Sequence, residues 1–264
     1  MLRFLSFGSG SSGNCYYIES DGKAIIIDAG IGIRTIKKYF STYGINQSCI
    51  KSIFITHDHT DHVAAVASLA IYLRIPVYAT KVVHGRINTN YRIRNKIPGQ
   101  FVRFIEKENP VAVGNFRICA FNVPHDSADC SGYTVYAGES KFVIVTDCGN
   151  VTDCIVNRIH EADYLVLESN YDTVMLQNGK YPYHLKKRIL SSVGHLSNEA
   201  AAQLLQNERP ERLKHLFLCH LSENNNTPEV VMAKMEEALS VYDRKIPFNV
   251  LARRRPSGFF VLEE

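Results

Sequence analysis

Residues 53–62 read IFITHDHTDH, and this stretch decides the fold of the chain. The apolar, β-branched run at residues 50–55 predicts a short buried strand. Five side chains that can bind a metal follow it within the six positions from His57 to His62. Residues 63–73 are then apolar, rich in alanine and free of glycine and proline, which predicts a buried helix. We therefore expect a strand, a ligand loop and a helix in succession.

The spacing within this loop predicts ligands for two metal ions. Side chains two residues apart on an extended backbone point the same way, so His57 and His59 can bind one ion. Asp61 and His62 fall where the chain turns into the helix, which Thr60 or Asp61 would cap, and they can face a second ion. Imidazole suits zinc, iron and other borderline metals, and a carboxylate adds a hard, charged ligand. A solvated polar loop is the alternative, but it does not explain three histidines and two aspartates between two apolar elements.

The bulk composition indicates a reduced protein without a membrane segment. The chain has 264 residues, 45% of them hydrophobic, and a core of this size needs no disulfide staples. Seven cysteines without a CxxC pair argue against a disulfide framework or a zinc ribbon, so we expect free thiols and a cytoplasmic location. Residues 1–7 predict a strand that is too short for a signal peptide, and no apolar run approaches the ~18 residues of a membrane span. The net charge of +4 is only mild support for an anionic partner.

Hydrophobic patterns predict alternating groups of strands and helices along the whole chain. The expected strands are residues 2–7, 15–19, 23–28, 50–55, 77–79, 101–105, 111–114, 116–123, 131–137, 141–146, 164–168, 213–219, 248–252 and 259–262. The expected helices are residues 33–43, 63–73, 80–90, 153–161, 185–192, 197–207 and 227–242. This order predicts an α/β (α+β) chain in which two sheets are covered on the outside by helices. No linker, repeat or low-complexity segment is visible, so residues 1–264 are expected to form one domain.

Three further apolar runs each stop at one residue that can bind a metal. His125 follows the expected strand at 116–123, Asp147 follows the next strand pair, and His220 follows a later strand. In layered α/β folds, sites form where strands end. A lone histidine after a strand is usually unremarkable, but three such positions beside the first cluster indicate one shared site.

The loop at residues 57–62 resembles the HxHxDH signature of the metallo-β-lactamase fold superfamily, and the resemblance covers essentially the whole chain. It implies a single four-layer αββα sandwich of the metallo-β-lactamase type that binds two divalent metal ions (Zn, Mn or Fe). Two such ions roughly 3.5–4 Å apart would lower the pKa of a bridging water and clamp an in-line displacement. The superfamily pattern implies seven ligands: His57, His59 and His125 for the first ion, Asp61, His62 and His220 for the second, and Asp147 as the bridging carboxylate. An aspartate bridge is typical of the phosphodiesterase and hydrolase branches, whereas lactam-cleaving members usually have cysteine there.

A second site candidate is the stretch GHLSN at residues 194–198. The simplest interpretation is the start of a helix that is capped by Ser197 or Asn198. The free backbone amides at such a helix N-terminus can also bind an anion. In the tRNase Z and carbon-phosphorus-lyase phosphodiesterase branches, which the chain resembles, a histidine at this point contacts the scissile phosphate and can protonate the leaving oxygen. The resemblance therefore implies a catalytic role for His195, with Glu168 orienting it, and Asp61 is the third residue expected to be catalytic.

Further motifs narrow the resemblance. The stretch FGSGSSGN at residues 7–14 is one, and LESN at 167–170 with the later GHLSN and HLS motifs is another. Together they resemble the YycJ (WalJ) group of metallo-β-lactamase-fold hydrolases, which is similar to exonucleases acting on double-stranded DNA. The resemblance implies that the substrate is bound by Ser11, Ser12, Asn14, Asn170 and His195.

Charge patterning gives limited information about the substrate. Residues 63–105 contain no acidic side chain but several arginines and lysines, and residues 253–255 are three arginines. These stretches could form a basic surface for a phosphate backbone, and a solvated face is an equally good interpretation. No tRNA-gripping insertion and no large cap domain is visible, which leaves an open site for a duplex end or a small phosphodiester.

Three functions remain open at this point. The first, which we favour, is a dinuclear-metal hydrolase acting as a phosphodiesterase or exonuclease-like nuclease, with a phosphodiester substrate such as DNA. The second is a hydrolase of a small non-nucleic-acid ester, such as a thioester or lactone, or of a small cyclic phosphodiester. The third is a binding protein with a vestigial site, which the seven filled ligand positions argue against.

Overall fold

The computed structural model describes residues 1–263, and it contains two seven-stranded β-sheets packed face to face. The first sheet consists of β1 (Leu2–Gly8), β2 (Cys15–Ser20), β3 (Lys23–Ile27), β4 (Ile50–Phe54), β5 (Val77–Ala79), β6 (Val102–Phe104) and β14 (Phe260–Leu262). Its strand order is β14-β1-β2-β3-β4-β5-β6. The pairs from β14 to β3 are antiparallel, and the pairs from β3 to β6 are parallel.

The second sheet repeats this arrangement. It consists of β7 (Val111–Val113), β8 (Phe116–Asn122), β9 (Ser131–Ala137), β10 (Ser140–Val145), β11 (Tyr164–Glu168), β12 (His215–Cys219) and β13 (Phe248–Val250). The pairs from β7 to β10 are antiparallel and those from β10 to β13 are parallel. Parallel strands are covered on both faces, which is why strands such as β11 are apolar without alternation and wholly buried.

Helices cover the outer face of each sheet. The first sheet is covered by α1 (Ile33–Thr42), α3 (Val66–Leu73) and α4 (Lys81–Thr89), and the second by α5 (Asp153–Glu161), α8 (Asn198–Glu208) and α9 (Pro228–Leu239). Between the sheets, Phe4 of β1 meets Phe142 and Phe217 of the second sheet with ring centroids 4.9 and 4.7 Å apart. Each such pair adds ~0.5–1.5 kcal/mol beyond its buried area. The predicted four-layer αββα arrangement is confirmed.

The helix predicted at residues 63–73 is wrong in one respect, because it is broken in two. A short helix α2 (Thr60–Val63) precedes α3, and its N-cap residue is His59, without the side-chain cap that we expected from Thr60 or Asp61. An unbroken helix would pair the Ala65 amide with Asp61 O. Instead Ala65 N donates to Ala29 O at 2.8 Å, and Asp61 O accepts from Asn14 N at 2.7 Å. Neighbouring loops therefore take over the backbone groups of the ligand loop.

The region between β11 and α8 also differs from the prediction. It holds two short helices, α6 (Thr173–Asn178) and α7 (Tyr183–Ile189), where we predicted a single helix at residues 185–192. The two helices close over a small apolar cluster of their own that includes Leu176 and Ile189. Among residues 1–263, no helix is long and apolar enough to cross a membrane.

Candidate metal centre

The ends of five strands from the two sheets converge on one group of titratable side chains. His57 to His62 follow β4, His125 follows β8, Asp147 follows β10 and His220 follows β12, while Glu168 is the last residue of β11. The structure brings together all the residues that were predicted as metal ligands. Their donor atoms form overlapping groups in which every atom lies within 4.8 Å of the others. These groups are His57, His59 and His125; Asp61, His62 and His220; His57, His62 and Asp147; and Asp147, Glu168, His195 and His220.

The first two groups have the same members as the two predicted ligand sets. Asp147 belongs to the other two groups, so it lies between the sets, as a bridging carboxylate would. Its Oδ2 is 3.2 Å from His62 Nε2, and its Oδ1 is 3.6 Å from His125 Nε2 and 3.5 Å from His220 Nδ1.

Unsatisfied nitrogen atoms show that this group of residues fits metal ions. Among the described residues, His57 Nε2 and His220 Nε2 are buried and have no hydrogen-bond partner. Buried polar atoms are nearly always paired, so two unpaired imidazole nitrogens in one cluster indicate a ligand. Imidazole and carboxylate donors together suit zinc, manganese and iron.

Strained backbone accompanies three of the buried side chains at the site. Asp28, Asp147 and His220 have φ angles of 60°, 52° and 54°, in the left-handed region that such residues rarely adopt. Each lies directly after a strand or one residue further along the chain. Strain of this kind persists where the surroundings hold a side chain in place, and it is typical of functional sites.

Asp28 is a site residue that our sequence analysis missed. Its buried carboxylate accepts a hydrogen bond from His62 Nδ1 at 2.7 Å and from Thr56 Oγ1 at 2.9 Å. Because Nδ1 of His62 is used in this way, Nε2 is the nitrogen that faces Asp147 and would bind a metal there. The signal that could have revealed Asp28 is the one used for Asp147, an acid that follows an apolar run at the end of a strand.

Glu168 lies beneath two histidines at once. Its Oε1 accepts from His195 Nδ1 at 2.8 Å and from His220 Nδ1 at 2.9 Å, while Oε2 accepts from the amides of Cys148 and Leu196. Burial alone would raise the pKa of Glu168, but His195 and His220 hold it at about 2. The sequence analysis predicted the contact with His195 and not the contact with His220.

Electrostatics divide the histidines into two kinds. Burial lowers the pKa of His57 and His125, so these imidazoles are neutral and have a lone pair to donate. Burial also opposes charge on His62 and His220, but the carboxylates around them together outweigh it. Asp147 and Asp61 act on both histidines, and they raise the pKa of His220 to about 10 and that of His62 well above its usual range. A cation bound at this position would release the protons of His62 and His220.

Two of the predicted substrate-binding residues need correction. Asn14 and Asn170 are only 0% and 4% exposed, and they contact the histidines rather than the opening of the site. Asn14 Nδ2 is 2.9 Å from His62 Nε2, and Asn170 Nδ2 donates to His220 O at 2.7 Å. Direct contact with a substrate does not fit this burial, and the side-chain amides of both residues contact His62 and His220 instead. Ser11 and Ser12 are exposed, as substrate contact requires.

Gly30 packs against the ligand loop so closely that no side chain fits. A Cβ atom there would lie 1.6 Å from Asp61 O and 2.9 Å from Asn14 N. Both are backbone atoms, and they are hydrogen-bonded to each other at 2.7 Å, so neither can move alone. We expect Gly30→Ala to lower the free energy of unfolding by ~2 kcal/mol or more and to displace Asp61. Urea denaturation measures the first effect, and metal content measures the second.

Gly85→Ala is the matched control for this prediction. Gly85 lies within α4 with open space around it, so the same substitution should raise the free energy of unfolding by ~0.5–1 kcal/mol. Equal denaturation midpoints for the two variants would contradict the packing role of Gly30.

Comparison with known proteins agrees with this geometry. The beta-lactamase superfamily domain family matches residues 23–220. The chain is 32% identical to exodeoxyribonuclease YycJ of Bacillus anthracis over 90% of this chain and 89% of the relative. It is 31% identical to exodeoxyribonuclease WalJ of Streptococcus pneumoniae over 92% of this chain and 90% of the relative. The crystal structure of the metallo-beta-lactamase fold protein YhfI from Bacillus subtilis has a TM-score of 0.71 at 16% identity, covering 97% of this chain and 99% of that one.

Proposed function

The chain belongs to the beta-lactamase superfamily domain family, and from this premise we propose that it is a metal-dependent phosphodiesterase that acts on DNA as an exonuclease. The observation that carries the proposal is the cluster of histidines and carboxylates in which Asp147 links two sets of ligands. The exodeoxyribonuclease names of relatives that align over about nine-tenths of the chain support DNA as the substrate.

The proposal assigns seven side chains to two divalent ions. The first ion is held by His57, His59 and His125, the second by Asp61, His62 and His220, and Asp147 is shared by both. Divalent ions bound there would activate a water for attack and neutralise charge on the phosphate. The partner contacts of Asp28 and Glu168 fix which nitrogen of His62 and of His220 is left for the metal.

His195 is proposed as the general acid. Its Nδ1 is held by Glu168, so its Nε2 remains to donate a proton to the leaving oxygen of the substrate. A side chain exposure of 18% keeps His195 within reach of a substrate, in contrast to the nearly buried His220. His195 also lines a cleft of about 440 Å³ together with Tyr171, Leu190 and Gln203, which offers room for the departing part of the substrate.

Two further properties follow as proposals. Ligands come from the ends of strands in both sheets, which supports residues 1–264 acting as one domain. The cysteines all carry free thiols in the structure, which supports a reducing compartment such as the cytoplasm.

A nuclease assay tests the proposed function. Protein stripped with a chelator should be inactive on end-labelled duplex DNA, and addition of Mn²⁺ or Zn²⁺ should restore the release of nucleotides from the ends. A nitrophenyl phosphodiester, a thioester and a lactone should be tested in parallel. Hydrolysis of the thioester or lactone with no hydrolysis of either phosphodiester would contradict the proposal, and hydrolysis of the nitrophenyl ester alone would restrict it to small phosphodiesters.

A further inference from the structure

We propose that the exposed face of α7, formed by Tyr183 and Lys187, binds the DNA strand whose end enters the proposed metal centre. The inference rests on the proposed function and extends it, because it names the surface that receives the substrate.

The first support is charge. Residues 173–198 contain no aspartate or glutamate but three lysines and one arginine. The acids that border this segment are already engaged, since Asp172 caps α6 by accepting from Met175 N and Glu199 accepts from Thr173 Oγ1. A phosphate backbone along this segment would therefore meet cations without an opposing carboxylate from the segment itself.

The second support is the orientation of α7. Its apolar side, with Leu185 and Ile189, packs into the small cluster beneath the helix. Its other side presents Tyr183, which is 81% exposed, and Lys187 four residues later on the same face. Lys187 has no ion-pair partner among residues 1–263. An aromatic ring exposed to this degree contributes little to the core, but it suits stacking on a base next to a cation that binds phosphate.

The third support is the connection between α7 and the metal centre. Arg188 Nε donates to Asp126, whose Oδ1 lies 3.3 Å from His125 Nε2 and 3.7 Å from His59 Nε2. Further along the chain, His195 N donates to Ile189 O at 3.1 Å. Tyr183 begins α7 and lies about 7 Å from Arg188, measured along the helix axis. The C-terminal end of α7 therefore adjoins the predicted ligands, and the face with Tyr183 and Lys187 extends from this end.

The other basic stretches of the chain fit this role less well. Arg253 is used by the fold, because its guanidinium donates to the carbonyl oxygens of Leu221 and Ser222, and Arg254 pairs with Glu223. The acid-free stretch at residues 63–105 contains an exposed aromatic residue beside a cation, Tyr91 next to Arg92. Tyr91 is 84% exposed. No described contact joins this pair to the ligands, and it provides a chemically matched control.

The experiment compares Tyr183→Ala/Lys187→Ala with Tyr91→Ala/Arg92→Ala, using a duplex with a short single-stranded end. The α7 pair should raise the KM for DNA about 10-fold, because it removes a base stack and a phosphate contact, and kcat at saturation should stay within about 2-fold. The control pair should leave KM within about 2-fold. Thermal melting and metal content verify that both double variants are folded and loaded.

Salt dependence gives a second readout, which a purely structural role would not change. Lys187→Ala alone should make the slope of log affinity against log salt shallower by about 0.7–0.9, the contribution of one phosphate contact. An unchanged KM and slope in the α7 variants, or a raised KM in the control pair alone, would overturn the proposal while leaving the nuclease function intact. A parent protein that hydrolyses the nitrophenyl ester but not DNA would overturn the assigned DNA substrate and this surface together.

Discussion

Asp147→Ala is expected to lower phosphodiester hydrolysis by ~10²-fold or more and to reduce the metal content from the proposed two ions per chain to one or none. Loss of a residue that merely supports a ligand typically costs 10- to 100-fold in metal affinity or activity, so loss of a shared ligand should cost at least as much. Asp147 is the residue that appears in a ligand group with His57 and His62 and also in one with His220. Elemental analysis of protein purified without chelators, together with turnover on a nitrophenyl phosphodiester, measures both effects.

Asp58→Ala is the matched control for this prediction. Asp58 lies in the ligand loop, but its carboxylate accepts from Ser127 Oγ at 2.7 Å and belongs to none of the ligand groups found among the described residues. The control should keep the metal content of the parent protein. A normal metal content in Asp147→Ala would contradict the bridging role.

His195→Ala is expected to lower turnover on DNA by ~10²–10⁴-fold while both metal ions and the fold are kept. This range is the usual contribution of a general acid, and Nδ1 of His195 is already held by Glu168 at 2.8 Å. The loss should shrink on a nitrophenyl phosphodiester, because nitrophenolate leaves without a proton. Turnover on the two substrates and metal content are the measurements.

His220→Ala separates the roles of two histidines that resemble each other in sequence, since Leu-Ser follows both. His220 shares a ligand group with Asp61 and His62, so its removal should deplete the metal, whereas removal of His195 should not. Loss of metal in His195→Ala would show that the roles are exchanged. Equal losses of turnover on DNA and on the nitrophenyl ester would indicate that His195 binds the phosphate rather than protonating the leaving oxygen.

Most of the predicted elements match the structure because their signals are local. Alternation, apolar runs and cap residues lie within a few positions, and Ser197 caps α8 through Ala200 N as one of the two predicted candidates. The strands β9 and β11 and the helix α5 have the predicted bounds. The ligand loop shares this property, because His57 and His59 are two residues apart on extended backbone.

The break between α2 and α3 could not be predicted in the same way. Residues 60–73 have a continuous helical pattern, and the pattern is interrupted because Ala29 and Asn14 bond to the backbone of the ligand loop from distant segments. Two asparagines that we placed at the substrate are buried for a related reason, since their amides satisfy groups around the histidines.

The sequence by itself determined the strand–loop–helix unit, the two layered sheets and the set of candidate metal ligands, because each depends on spacing along the chain. The tertiary structure decided which of those side chains lie within reach of one another and which groups hold them. Asp28 reaches His62 across 34 positions, and Glu168 reaches His220 across 52. The tertiary structure also decided which face of α7 is exposed beside the site. Contacts of this kind depend on the path of the chain through both sheets, and no local pattern of residue types records that path.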